Sequence, residues 1–358
     1  MQTATCATAR VLEIGDNYYF KAQYPHRTTL LWTGVRLPQD RSLVDALATP
    51  GRVLSELRAA ARGRYDAVVA YPMRYSAWHP RYWARALVNP PFAPWAALTR
   101  AAGVSALRIA RKPPVPLVAI DMDDSFNLST PSLFLLDMAD VFLKRELPVD
   151  RWQLLSGSLH PHIPTLRFRH DAMWRTRIAT IQPIGLPQWM IDPALTNGPP
   201  PQKTADVFFA GAVVGNSTVR ETGIAELERL KASGIVIDFA PEPLGFDEYQ
   251  RRMSAAWLAW SPEGRGWHCN RHYEAALVQT VPVMNYPTVI RHAPLQDGVH
   301  AFHYAPEPGG LAATVISALG DQQRLRRMAL AARDHALAHH TREAYCNHIL
   351  SLALESGA

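Results

Sequence analysis

The feature that most restricts the fold of this chain is a rhythm. Short apolar, β-branched runs alternate with stretches of helical period, and the pattern occurs twice. In the first half, 10–15 (RVLEIG), 29–34 (TLLWTG), 65–71 (YDAVVAY), 116–122 (PLVAIDM) and 140–145 (DVFLKR) read as strands, with helical segments such as 51–62 between several of them. Runs this uniformly apolar suit strands buried on both faces, so the expected sheet is parallel and covered by helices. The rhythm breaks at 194–203, ALTNGPPPQK, whose prolines remove donors and hold the backbone extended. It resumes with a strand at ADVFFAG (205–211), an amphipathic helix closed by glycine at TVRETGIAELERLKASG, and strands at GIVIDFA, AWLAWSP, VPVMN and HAFHY. Helices over about 309–319 and 321–339 close the pattern.

Two α/β domains are therefore expected: 1–193, a Pro-rich linker at 194–203, and 204–340, with 341–358 as a helix returning to the first domain. Ligands in such sheets gather at the carboxyl ends of the strands, which puts the expected site in a cleft between the domains, with a hinge near the linker.

Composition excludes several classes. An apolar content of 48% supplies ample core and argues against disorder. No window holds the roughly 18 uninterrupted apolar residues of a membrane span, and the first 20 residues lack the basic-then-apolar order of a signal peptide. Cys6, Cys269 and Cys346 form no paired framework, so a reducing, cytoplasmic setting without disulfides is expected. No Gly-x-Gly-x-x-Gly follows the first strand, which argues against a dinucleotide oxidoreductase.

The net charge of +6 is carried mostly by arginine. From Ala67 to Ile120 there is no acidic residue, while Arg74, Arg81, Arg85, Arg100, Arg108 and Arg111 gather beside Trp78, Trp83 and Trp95. That block suits a peripheral contact with an anionic membrane; a solvated helix with its aromatics packed inward is the plainer alternative. Nucleic acid is not expected, since no nucleic-acid-binding motif accompanies the charge.

Residues 261–284 carry the strongest functional signal: SPEGRGWHCNRHYEAALVQTVPVM. Glu263, Gly264, Gly266, Trp267, His268, Cys269 and Asn270 fall between a strand ending near Pro262 and a helix starting near Arg271. They form a strand-to-helix loop at the ligand edge of the second sheet. Glu274, in the first turn, is placed to accept hydrogen bonds from a vicinal diol such as a ribose presents. A plain surface ion pair between Arg271 and Glu274, at i and i+3, is the competing interpretation. His268 and His272 flank Cys269 without a matching third ligand motif, so no metal site is expected there.

These residues resemble the C-terminal motif of exostosin-like and related group 1 glycosyltransferases of the GT-B fold. A P-x-G-x-G loop leads to R-x-x-E-A-L and then x-P-V, matched by Pro262, Gly264, Gly266, Arg271, Glu274, Ala275, Ala276, Pro282 and Val283. The chain departs at Gln279 and Thr280, where the family usually has Gly-Cys or Gly-Ser. Downstream, LQDGVHAFHY is similar to the family's DG-x-x segment. The resemblance covers roughly 205–340 and is only architectural before it.

The resemblance implies two Rossmann-like domains facing across a cleft and transfer of a sugar from a nucleotide-diphosphate donor to a glycan, lipid-linked or small-molecule acceptor, as in polysaccharide biosynthesis. Donor contacts would come from Gly211, Ser217, Arg220, Glu263, Gly264, Gly266, Asn270, Arg271 and Glu274. Glu274 would bind the ribose; Arg271 and Arg220 would meet the diphosphate charge without a metal. In the first domain Asp121, Asp123 and His79, with His26, are candidate general bases if the reaction inverts configuration. Asp121-x-Asp123 matches the metal motif of the other large glycosyltransferase fold, but its place on a GT-B-like strand end favours a cleft acid. No cofactor is expected beyond the nucleotide-sugar co-substrate. A catalytically inactive nucleotide- or sugar-phosphate-binding subunit and a phosphosugar epimerase stay open as alternatives.

Overall fold

The computed structural model describes residues 5–34, 37–72, 106–108, 112–129, 132–156, 172–188, 191–213, 217–240 and 242–357. His79, Asn216 and residues 73–105 and 109–111 of the acid-free block lie outside them. By contacts the chain divides into two units, Met1–Ile184 with Cys346–Ala358, and Gly185–Tyr345.

The first unit holds strands β1 (Val11–Gly15), β2 (Thr28–Trp32), β3 (Ala46–Leu47), β4 (Ala67–Ala70), β5 (Leu117–Asp121), β6 (Val141–Lys144) and β7 (Gln182–Pro183). Every pairing is parallel, in the order β3-β2-β1-β4-β5-β6-β7. The strand order reverses direction between β1 and β4, which opens a crevice at their carboxyl ends. Helices α1 (Tyr19–Gln23), α2 (Pro50–Ala61), α3 (Leu135–Met138) and α4 (Ala172–Ala179) join the strands. Thr49 caps α2 by accepting from the Arg52 amide, and Pro50 occupies the first turn, where its missing N–H costs nothing.

Three buried charged side chains interrupt the apolar strands, and all three are partnered. Glu13 on β1 accepts the amides of Phe20 (3.2 Å) and Lys21 (2.8 Å) and the Tyr71 hydroxyl (2.9 Å), which anchors the start of α1. Burial nevertheless raises its pKa to about 7. On β5 and β6, register places Asp121 opposite Lys144, and their side chains pair at 3.0 Å.

The second unit holds β8 (Ala205–Ala210), β9 (Ile237–Ala240), β10 (Ala256–Trp260), β11 (Val281–Asn285) and β12 (Phe302–Tyr304), all parallel, in the order β12-β11-β10-β8-β9. Its helices are α5 (Pro193–Asn197), α6 (Thr218–Ala232), α7 (Phe246–Ser254), α8 (Asn270–Leu277), α9 (Gly310–Leu319) and α10 (Gln322–His339). Period-two alternation splits the core. Val207 and Phe209 face Leu227 and Leu230 of α6, Val315 of α9 and Met328 of α10, whereas Phe208 and Ala259 face Met253 of α7 and Ala275 of α8. Gly223 lets α6 approach closely, because a Cβ there would lie 2.2 Å from the Trp260 ring.

The Pro-rich stretch lies inside this second unit, and the division falls at Ile184/Gly185. Lys203 donates to the carbonyls of Ser254 (2.8 Å) and Gln279 (2.7 Å), and the Gln279 amide donates to those of Leu195 (2.9 Å) and Gly198 (3.1 Å). Gln279 itself ends α8 at φ 59°, the left-handed conformation for which the resembling family uses glycine. The final helix, α11 (Arg342–Ser356), runs from the second unit into the residues grouped with the first. Among the described residues no helix is long and apolar enough to cross a membrane.

Candidate functional site

In the second sheet the order reverses between β8 and β10, so the loops that follow these strands flank the crevice. Both loops carry residues singled out from the sequence. After β8 come Gly211 and, across residues outside the description, Ser217, whose hydroxyl caps α6 by accepting from the Val219 amide at 3.1 Å. After β10 come Glu263 to Asn270, with a tight turn in which the Gly264 amide donates to the Gly266 carbonyl at 2.9 Å.

Arg220, from the first turn of α6, ties the two loops together. Its Nε donates to the Glu263 carbonyl and its Nη1 to the Ala212 carbonyl, each at 2.8 Å. Burial lowers its pKa, and the charge of Arg271 acts in the same direction.

Arg271, in the first turn of α8, is buried with 6% of its surface exposed. One guanidinium nitrogen donates to the Ala210 carbonyl, and the plane lies 4.8 Å from the Phe209 ring centroid. Among the described residues its Nε and Nη1 have no hydrogen-bond partner. Gly211 gives it room: a Cβ at that position, held at φ 153°, would lie 2.7 Å from Nη2. The helix is capped by Cys269 without a side-chain hydrogen bond. A buried cation with unfilled donors at a helix N-terminus is a place for an anion.

Glu274 does not pair with Arg271. Its carboxylate accepts the Tyr249 hydroxyl of α7 at 2.7 Å. Burial raises its pKa, against the opposing pull of that hydroxyl and of Arg271. The surface ion pair is thus replaced by a buried guanidinium and a separately held carboxylate. Glu263 is also held: its amide donates to Asn285 Oδ1 (2.9 Å), and Asn285 Nδ2 donates to its carboxylate (3.1 Å). Asn270 is exposed, with Oδ1 3.5 Å from Gln188 Nε2.

His272 is a structural residue. Its ring nitrogens meet Ser261 Oγ at 2.7 Å and the Trp267 carbonyl at 2.9 Å, and burial lowers its pKa to about 3. A neutral ring with Nε2–H donating and Nδ1 accepting satisfies both contacts. Among the described residues no group of three or more His, Cys, Asp or Glu is placed to hold a metal.

In the first unit a cleft of about 210 Å³ opens at the carboxyl ends of β1, β4, β5 and β6, between Asp16, Tyr71, Asp121, Asp123, Ser129 and Arg145. Asp123 donates its amide to Asp121 Oδ1 at 2.9 Å, while the other oxygen of Asp121 is engaged by Lys144. His26 precedes β2 and so sits at the opposite, amino end of the sheet. Tyr249, Asn285, Asp16 and Arg145 were not singled out in the sequence. Asp16 had a signal, since it directly follows the strand-like run RVLEIG.

No family model matches the sequence, and no curated protein matches it. Solved structures do match the fold. Sucrose-phosphate synthase from Thermosynechococcus elongatus aligns with 96% of this chain and 98% of its own at TM-score 0.55 and 10% identity. A glycosyltransferase from Rickettsia africae ESF-5 aligns with 97% of this chain and 98% of its own at TM-score 0.52 and 8% identity. HepE from Anabaena, solved in complex with UDP, aligns with 97% of this chain and 100% of its own at TM-score 0.51 and 14% identity. The fold is GT-B. At these identities the likeness is one of architecture: two α/β units with parallel sheets, as in the GT-B glycosyltransferases. Within the GT-B framework the candidate donor residues lie on the second unit and the candidate bases Asp121 and Asp123 on the first.

Proposed function

We propose that this chain is a glycosyltransferase that takes a sugar from a nucleotide-diphosphate donor held by its second unit. The observation that carries this reading is Arg271, a buried guanidinium between two crevice loops, two of whose donor atoms have no partner among the described residues. A diphosphate supplies the missing acceptors, and as the leaving group it gains negative charge in the transition state, where fixed donors act most strongly. Arg220 positions the loops around it, and Glu274, oriented by Tyr249, accepts the hydroxyls of a ribose. Asp123 is the cleft acid placed to take an acceptor proton; Asp121, held by Lys144, positions it through the shared amide contact. No step calls for a metal.

The resemblance of residues 261–284 to group 1 glycosyltransferases and the UDP complex of HepE both favour a nucleoside diphosphate as leaving group. The acceptor is a glycan, lipid-linked or small molecule, and residues 74–112 of the acid-free block bring the enzyme to an anionic membrane surface. Calorimetric titration with a panel of nucleosides and their diphosphates, UDP first, tests the reading. Diphosphates are expected to bind at least about tenfold more tightly than nucleosides, the worth of one charge-assisted hydrogen bond. No binding by any diphosphate would overturn it. Hydrolysis of the donor distinguishes the enzyme from an inactive binding subunit, and sugar transfer without epimerised product distinguishes it from an epimerase.

A further inference from the structure

Between β11 and β12 the chain makes a long loop, 286–301, and five of its 14 histidines gather where that loop meets α10. His292 and His300 come from the loop; His335, His339 and His340 come from the end of α10. The His335 ring stacks on His300 at 4.5 Å and lies 4.7 Å from His339 and 5.8 Å from His340, and His292 lies 6.2 Å from His340. The carbonyl of Ala293 accepts from Nε2 of His335 (2.9 Å) and of His340 (2.8 Å). A carbonyl only accepts, so each neutral ring carries its proton on Nε2, and a second proton must go to Nδ1. For His340, 1% exposed and stacked on Tyr273 of α8, Nδ1 faces Gly185, where a Cβ would lie 3.1 Å away. For His300, Nδ1 accepts the Gln296 amide at 3.1 Å, a bond that a proton there would break. The other charged groups around the rings are few. Asp297, the one acid of the loop, accepts the His303 amide, Asp334 pairs with Arg333, and Glu343 of α11 is exposed. Arg291, Arg342 and, from the loop before α8, His268 stand on the basic side. Burial lowers the pKa of His300, His339 and His340, and the charge of His335 acts in the same direction on each.

We propose that the five rings form an acid-released clasp: neutral, they hold the 286–301 loop on α10; protonated, they repel one another and let it go. The same loop carries Arg291, whose guanidinium lies 5.1 Å over the ring of Trp267 in the glycine loop that leads into α8. Trp267 in turn donates its Nε1 hydrogen to the Asn285 carbonyl at the end of β11. Release of 286–301 therefore loosens 263–270 as well. Ala293 favours the release, because its φ of 38° is left-handed, a conformation that costs a non-glycine residue and is held only by its surroundings. Linkage sets the direction. Above about pH 6.5 the rings are neutral whether clasped or free, and the clasp is complete; below it, each ring that takes a proton only on release raises the released fraction by about tenfold per pH unit. That acid should also weaken a nucleoside diphosphate beside Trp267 rests on the donor reading; the clasp does not.

Hydrogen exchange on the full chain at pH 7 and 5.5, corrected for intrinsic rates, tests the clasp in wild type and in His335→Gln/His339→Gln. Glutamine at 335 can still donate to Ala293 but does not titrate. In wild type, protection of 286–301 and of 263–270 should fall at least about tenfold more than that of α6; in the variant the excess should stay under about threefold. His272 and His303, with pKa values of about 3 and 4, are present in both proteins, so the difference between the two belongs to the clasp. Thermal unfolding checks the fold, and should the double variant not fold, His339→Gln alone, at an exposed ring, carries the comparison. The proposal is overturned if 286–301 keeps its protection at pH 5.5, if it loses protection only together with α6, or if the folded variant behaves as wild type does. UDP titration of both proteins at pH 5.5 measures the link to the donor; the variant should bind at least about threefold more tightly, and comparison at one pH cancels the titration of UDP's own phosphate. Loop opening with equal UDP affinity in the two proteins, or with no UDP binding at pH 7, would count against the donor reading and leave the clasp standing.

Discussion

The guanidinium of Arg271 lies against the backbone of Gly211, so closely that a Cβ at position 211 would fall 2.7 Å from Nη2. The absence of a side chain in one loop thus fixes the place of a cation in the next. Gly211→Ala is expected to displace Arg271 and to strain the backbone at φ 153°, costing about 1–3 kcal/mol of stability. Nucleoside-diphosphate affinity should fall with it, while affinity for the free nucleoside changes little. Urea unfolding and calorimetry on the same variant measure the two effects.

Arg271→Lys should separate charge from geometry. A lysine keeps the positive charge but cannot reproduce the planar fork, so diphosphates should lose affinity and nucleosides should not. Equal losses for both ligands in titration would place Arg271 away from the phosphates.

Glu274→Gln keeps size and helix propensity and removes the charge. If Glu274 holds the ribose, nucleoside and diphosphate should both lose about ten- to hundredfold in affinity, corresponding to roughly 1.5–3 kcal/mol. Tyr249→Phe removes the hydroxyl that orients Glu274, and a smaller loss of the same kind is expected. A 2′-deoxynucleotide should bind wild type and Glu274→Gln with similar affinity, and a large remaining difference would count against the ribose contact.

Much of the second unit could be read from the sequence, for a physical reason. Its strands are short, apolar on both faces and separated by well-marked helices, so β8, β10 and β11 fall within the expected runs. Arg271 and Glu274 stood out because a glycine loop precedes them. Their partners did not, since Tyr249 and Asn285 come from other elements and nothing local announces a hydrogen bond across 25 residues. The two-residue strands β3 and β7 are too short to carry a period. The prolines of 194–203 announced an extended backbone but not the core it joins, which depends on Lys203 and Gln279.

Gln279 offers a test of that anchoring. Gln279→Ala should keep the left-handed strain and orphan the carbonyls of Leu195 and Gly198, costing about 1–3 kcal/mol. Gln279→Gly relieves the strain and should recover about 1 kcal/mol of that. The expected order of urea midpoints is wild type, Gly, then Ala.

Acid should act on the two units in opposite directions. His272 has a folded pKa of about 3, below the 6.5 of a free histidine, so its contribution is complete above pH 6.5 and is lost as pH falls from there toward 3. The slope is about 1.4 kcal/mol per pH unit for this one proton. His303, lowered to about 4, and His340, lowered by burial, add to the loss. Glu13 is raised to about 7, so between pH 7 and 4.5 the folded first unit holds a proton that the unfolded chain does not, and acid favours it. Hydrogen exchange at pH 7 and 5, corrected for intrinsic rates, should show protection falling in 185–345 before it falls in β1 and β4. The reverse order would contradict the assignment.

The order in which the chain is made has a consequence for the first unit. Its early part depends on late residues: the Tyr24 hydroxyl donates to Asn347 Oδ1 at 2.6 Å, and Gly357 lies against Pro116. The second unit is one uninterrupted stretch, 185–345, and the last residues of the first are synthesised after it. During translation, then, the unit that begins first is finished last, and it must wait on the ribosome without the contacts of its last residues to Tyr24 and Pro116 while the later unit completes itself.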